Sequence, residues 1–270
     1  MFTSAKNFPL WAFFSLVTNG LLMLAIILLI LQQQKLTNIV GATTAATVSE
    51  PQAVKPDLGP RLQLNYQQWV DILNKEAKVA AQKPPQHLTI LAGDSLSLWF
   101  PSELLPEDRS WLNQAISGET SEGLLKRLDL FDRTQPKEIF VMIGINDLIR
   151  GVSDEAILEN QRQIMNYLRR VHPKAQIFVQ SILPHGGEES TWEGREQLLA
   201  IANDRIYHLN QQLQTIATKQ GIKYIDLYSL FSNQQGNLRR EFTTDGLHLS
   251  PQGYMVWRTA LQIYSQNSRS

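Results

Sequence analysis

The sequence predicts an α/β domain in which a five-stranded parallel sheet carries helices on both faces. Three observations predict it. Beyond residue 60, short apolar runs alternate with segments of helical periodicity, the pattern of repeated strand–helix units. Runs such as residues 139–143 are apolar at nearly every position, as strands buried on both sides must be. The length of this region, about 200 residues, suits one such domain.

Each element follows in order. Asn65 caps a helix that runs to about residue 82, with Gln68 at the capping-box position, and Pro84 and Pro85 stop it. Residues 87–92, 111–113, 138–143, 176–182 and 223–227 read as the five strands. Between them, residues 123–131 have a helical pattern, and Ser153 caps a helix with Ile157, Ile164, Met165 and Leu168 on one face. Leu199, Ala202, Ile206, Leu209, Leu213 and Ile216 fall at spacings of three and four on another. Tyr254, Trp257, Leu261 and Tyr264 mark the last helix.

The 270 residues hold 25 basic and 25 acidic side chains, so there is no electrostatic footprint for nucleic acid. The absence of cysteine excludes disulfides, Cys-based zinc sites, thiol nucleophiles and a lipidated cysteine. Residues 10–31 carry no charge, and 21–31 are apolar without a break. As a helix this stretch would be roughly 33 Å long, enough to cross a bilayer core. It outruns a usual signal-peptide core, and no Ala-x-Ala follows it closely, so an uncleaved transmembrane signal anchor over residues 1–35 is expected, with a cleaved secreted form as its competitor. Lys6 favours a cytoplasmic N-terminus and an extracytoplasmic remainder; Lys35 pulls the other way. Residues 36–60, with Pro51, Pro56 and Pro60, read as a flexible linker, 61–85 as a helical pre-segment, and 86–270 as the main domain.

In such a sheet, ligands bind beyond the carboxyl ends of the strands. There the first strand runs into Gly93-Asp94-Ser95-Leu96-Ser97 and the second toward Gly118. The third precedes Gly144-Ile145-Asn146-Asp147, and Asp245-Gly246-Leu247-His248 follows the fifth. Together these groups suffice for acyl transfer. Ser95 is a candidate nucleophile and needs a base; His248 fits, and Asp245, three residues earlier, can orient its ring. The backbone N–H groups of Ser95 and Gly118 and the Asn146 carboxamide are candidate oxyanion donors.

These four segments resemble the blocks of the SGNH, or GDSL, hydrolase family, in matching order across roughly residues 86–265. The resemblance implies a flavodoxin-like three-layer α/β/α fold and hydrolysis of esters or thioesters without a metal or other cofactor. Ala115 stands where many members have glycine, which implies a local loop difference. The helix at 65–82 lies outside the resemblance and is expected to pack on the domain or act as a spacer.

Other residues have plainer expectations. Asp94 and Asp147 each bond their own loop, and Asp226 is a rival orienter for His248. His172 is solvated, His208 lies on a helix at the surface or in the core, and His87 begins a strand. His185 and the loop to Trp192 form a connector, with a pocket border as the second reading. Leu96, Leu98, Trp99 and Phe100 face the core, with an acyl-binding wall as the second reading. The candidate substrates are lipid-like acyl esters and O-acetyl groups of an envelope polysaccharide. The alternative to an esterase is a catalytically silent, membrane-tethered binding protein. The sequence specifies no oligomeric state.

Overall fold

The computed structural model describes residues 64–266. The anchor expected over 1–35 and the linker over 36–60 lie outside the described residues. Among those described, no helix is long and apolar enough to cross a membrane.

Helix α1 (Tyr66–Gln82) opens on the expected capping box: the Gln68 N–H donates to the Asn65 side chain, and the Asn65 N–H to Gln68 Oε1, both at 2.9 Å. Leu73, Ala77 and Ala80 form its buried stripe. The Gln114 amide donates to the Leu73 carbonyl at 3.2 Å inside the protein. The Tyr66 hydroxyl donates to Glu119 at 3.3 Å, and Glu119 is in turn paired with the buried Arg127 at 2.7 Å. The pre-segment helix is therefore part of the domain and not a spacer.

Strand β1 (Leu88–Gly93) leads into the single helical turn α2 (Ser95–Leu98). Strand β2 (Ser110–Ala115) is longer than its short apolar run indicated, because its register is set by pairing all along β1. Helix α3 (Ser121–Lys126) ends before the expected residue 131, and a separate 3-10 turn covers Leu128–Phe131. Then come β3 (Glu138–Met142), the short α4 (Ile145–Ile149) and the long α5 (Asp154–Val171), which Ser153 caps as expected. Strand β4 (Gln176–Gln180) is followed by α6 (Arg195–Leu199) and α7 (Asn203–Lys219). The periodicity from residue 199 to 216 reads as one helix, but the chain breaks at Ala202, which is extended. Asn203, next along, exchanges two hydrogen bonds with the His185 backbone, which fixes the start of α7 against that loop. Strand β5 (Lys223–Ile225), the turn α8 (Tyr228–Phe231) and α9 (Pro251–Gln266) complete the described chain.

All five strands pair in parallel, in the order β2-β1-β3-β4-β5. Successive side chains point to opposite faces. Ile90, Ala92, Ile139, Val141, Ile177 and Val179 meet α1, α5 and α7, whereas Leu91, Phe140, Met142 and Phe178 meet Trp257 and Leu261 of α9. This is the flavodoxin-like order, whose direction reverses between β1 and β3, so a crevice opens beyond those two carboxyl ends.

Candidate active site

The site is assembled at that crevice, beginning with Gly93. A Cβ there would fall on the Met142 carbonyl oxygen of β3, so only glycine lets the strands run this close. Asp94, 1% exposed, accepts the Leu96 N–H at 3.0 Å and caps α2, as expected. Burial pushes its carboxyl up to about 7. Ser95 is thereby fixed as the first residue of the α2 turn.

Ser95 Oγ lies 3.2 Å from His248 Nε2, and His248 Nδ1 lies 2.8 Å from Asp245 Oδ2. A carboxylate at Nδ1 holds the proton on that nitrogen and leaves the Nε2 lone pair facing the serine. Asp245 Oδ1 also accepts the Leu247 N–H at 2.9 Å and the His248 N–H at 2.7 Å. Burial raises the Asp245 carboxyl, but the bonds from His248 and the backbone outweigh it and hold the group below its ordinary value. Asp226 instead accepts the Ser229 N–H at 3.1 Å and caps α8. The rivalry between the two carboxylates is settled geometrically: Asp245 meets the ring.

Gly118 follows β2 with φ +73°, the left-handed region that glycine enters at least cost. Its carbonyl accepts from Arg150 Nη2 at 2.7 Å. Arg150 also closes α4, donating its N–H to the Asn146 carbonyl at 3.1 Å. One residue thus ties the Gly118 loop to the turn that carries Asn146. Asp147 does not bond its own loop as expected. It accepts from the Ser121 N–H at 2.8 Å and the Ser121 hydroxyl at 2.6 Å, pinning the start of α3. Asn146 Nδ2 is buried and has no hydrogen-bond partner among the described atoms.

Trp99 departs most from expectation. Leu96 and Phe100 are buried in the core, but Trp99 is 42% exposed, and its ring sits 4.3 Å from the His248 ring. Trp99 and His248 border an open groove of about 610 Å³ with Pro101, Tyr254, Thr191 and Trp192. The loop after β4 is therefore more than a connector, since Thr191 and Trp192 line the groove. Their N–H groups also donate to the Asp245 carbonyl at 2.8 and 2.9 Å. The pocket border given as the second reading of this loop is thus the one the structure favours, with Trp192 half-buried at the groove wall.

The remaining histidines stand apart. His172 is 6% exposed and stacked on Phe131, so the expectation of a solvated ring is corrected: the helix end packs against the 3-10 turn. His185 is buried, with Nε2 2.7 Å from the Ile201 carbonyl and Nδ1 accepting the Gly187 N–H at 3.1 Å; desolvation lowers its pKa. His208 is exposed. His87 lies 3.5 Å from Glu138. Among the described residues, no group of three or more His, Asp or Glu side chains is placed to hold a metal.

A parallel sheet of this order, with a hydroxyl, an imidazole and a carboxylate in line at its carboxyl edge, is the arrangement that acyl transfer through a serine needs. The chain belongs to the GDSL-like lipase/acylhydrolase family, whose model matches residues 92–256. It is similar to a solved Streptococcus pneumoniae structure named for platelet activating factor, with 26% identity and a TM-score of 0.66, covering 73% of this chain and 93% of that one. A GDSL-like lipase from Bacteroides thetaiotaomicron shares the fold, with a TM-score of 0.61 at 16% identity, over 74% of this chain and 99% of that one. An N-acylneuraminate cytidylyltransferase of Streptococcus agalactiae is 27% identical over 175 residues, 65% of this chain, which spans only 38% of that relative's length. An isoamyl acetate-hydrolyzing esterase of Saccharomyces cerevisiae is 22% identical over 162 residues, 56% of this chain and 66% of the relative.

Proposed function

We propose that the protein is a membrane-anchored esterase that cleaves carboxylic esters or thioesters through an acyl-enzyme on Ser95. The observation that carries this reading is the unbroken hydrogen-bonded line from Ser95 through His248 to Asp245. Ser95 Oγ attacks the acyl carbon while its proton passes to His248 Nε2. The developing imidazolium is stabilised by Asp245. The negative charge on the former carbonyl oxygen is met by the Ser95 and Gly118 N–H groups and by Asn146 Nδ2. That last donor, buried with no partner among the described residues, is suited to an oxygen supplied by substrate. Collapse breaks the ester C–O bond, and His248 returns the proton to the departing alcohol. Water then attacks the acyl-Ser95 carbonyl, giving one proton to His248, and the carboxylic acid leaves as Ser95 recovers its own.

Both lipid-like acyl esters and O-acetyl groups of an envelope polysaccharide suit an open groove. The yeast relative is named for hydrolysing a simple acetate ester, which favours short acyl groups. The uncharged stretch at residues 10–31 supports the anchor and the extracytoplasmic placement of the domain. Turnover of p-nitrophenyl acetate is the test. Ser95→Ala and His248→Ala should each lower kcat by about 1,000-fold or more with the fold retained by circular dichroism. Comparable turnover by Ser95→Ala would sink the acyl-enzyme reading and leave the catalytically silent binding protein as the better account.

A further inference from the structure

The oxyanion donors of Gly118 and Asn146 stand on loops that the sheet does not join directly. Gly118 follows β2 and Asn146 follows β3, and β1 lies between those two strands. Two side chains cross the gap, Asp147 of α4 and Arg150, which closes that helix. The buried Asp147 carboxylate takes the Ser121 N–H and hydroxyl, three residues beyond Gly118. Arg150, which is exposed, reaches the glycine itself, with Nη2 donating to the Gly118 carbonyl at 2.7 Å. The Arg150 N–H meanwhile donates to the Asn146 and Asp147 carbonyls, both at 3.1 Å. Gly118 lies in a turn closed by the Glu119 N–H on the Ile116 carbonyl at 3.2 Å. Little packs against the glycine there. A Cβ at Gly118 would meet Arg150 Nη2, at 3.7 Å, and no other described atom within 4 Å beyond its chain neighbours.

We propose that Arg150 is a positioning residue for the oxyanion hole, holding the Gly118 N–H in register with Asn146 so that both meet one substrate oxygen. The role rests on the esterase reading and adds to it a side chain that touches no reacting atom. The need for a lock follows from glycine. It enters the left-handed region without strain but leaves it as easily, so the residue type alone does not hold Gly118 at φ +73°. A hydrogen bond from a charged donor is stronger than a neutral one. This one comes from the same helical turn as Asn146, so the two oxyanion donors are held as a unit. Fixed donors stabilise an oxyanion because they are in place before the charge develops. A misplacement of about 1 Å near a reacting centre can cost about 100-fold in rate. Without Arg150 both donors remain and the Asp147–Ser121 bridge still spans the gap, so the loss is smaller, about tenfold. Substrate gains from the alignment only as the oxyanion forms, so that loss belongs to kcat and not to KM.

The experiment is steady-state hydrolysis of p-nitrophenyl acetate by the full chain and by its Arg150→Ala and Arg150→Lys variants, with urea unfolding of each. Arg150→Ala should lower kcat about tenfold and leave KM within about twofold of the wild type. Arg150→Lys can still send an N–H to the Gly118 carbonyl and should recover most of the loss. Phenylboronic acid forms a tetrahedral adduct on a nucleophilic serine, with an oxygen where the oxyanion stands. Its inhibition constant should rise about tenfold in Arg150→Ala, in step with the fall in kcat. An unchanged kcat overturns the proposal. So does a raised KM with kcat intact, the result of a guanidinium that binds substrate directly. A kcat loss that Arg150→Lys does not relieve, or one that comes with a lower urea midpoint and an unchanged inhibition constant, marks a role in the fold alone and overturns it too. A wild type that fails to hydrolyse p-nitrophenyl acetate overturns the esterase reading, and this role with it. An active wild type with indifferent Arg150 variants overturns only the role, so the two failures are separable.

Discussion

Asp94 shows at the scale of one residue how the site is paid for in stability. Its carboxyl is enclosed beside the nucleophile, holds the α2 turn through the Leu96 N–H, and has its other oxygen without a partner. Burial raises its pKa to about 7, so between roughly pH 4 and 7 the folded protein keeps a proton that the unfolded chain has released. Protons bound in excess by the folded state mean that stability falls as pH rises through this window, with the full penalty present above about pH 7. Asp94→Asn lacks that titration. Urea midpoints of wild type and Asp94→Asn should therefore diverge from pH 4 to pH 8, with the wild type losing ground; a constant difference would contradict the assignment. Ser95, His248 and Asp245 meet at the sheet edge where the order of the four segments placed them. Trp99 and the loop to Trp192 were legible only as second readings, and Arg150 not at all, since their roles come from three-dimensional neighbours: a ring against His248, a loop over Asp245, and a carbonyl across from Asn146.

At the scale of elements, local chemistry was readable where it was self-contained. The Asn65–Gln68 capping box and the Ser153 cap are written in residues three apart and stand where the sequence placed them. The break at Ala202 and the early end of α3 were hidden, because apolar spacing continues across both and tertiary contacts decide them. The α1 helix is held by its cap, its buried Leu73 face and the Gln114 bond. Asn65→Ala removes an N-cap and should cost about 1 kcal/mol in urea unfolding, the usual size of that loss. No change in midpoint would mean that α1 adds nothing cooperative to the domain.

For the whole molecule, the parallel sheet was legible because strands such as β3, apolar along nearly their whole length, leave no solvent face to choose. The sheet order was not, since pairing partners depend on crossovers that no single segment records; it rested on the family resemblance. The order puts the switch point between β1 and β3, and so places Ser95 beside the turn that carries Asn146. We propose, from the apolar stretch at residues 10–31, that the domain lies on the far side of a membrane. Protease added to intact spheroplasts should then degrade residues 64–266, and protection until lysis would refute that placement. We propose above all that Ser95 is the nucleophile, activated by His248. Peptide mass mapping after treatment with a fluorophosphonate reads this without a substrate. One adduct is expected, on Ser95, in the wild type, with its loss in His248→Ala; an unmodified Ser95, or an adduct on another serine, would refute the role.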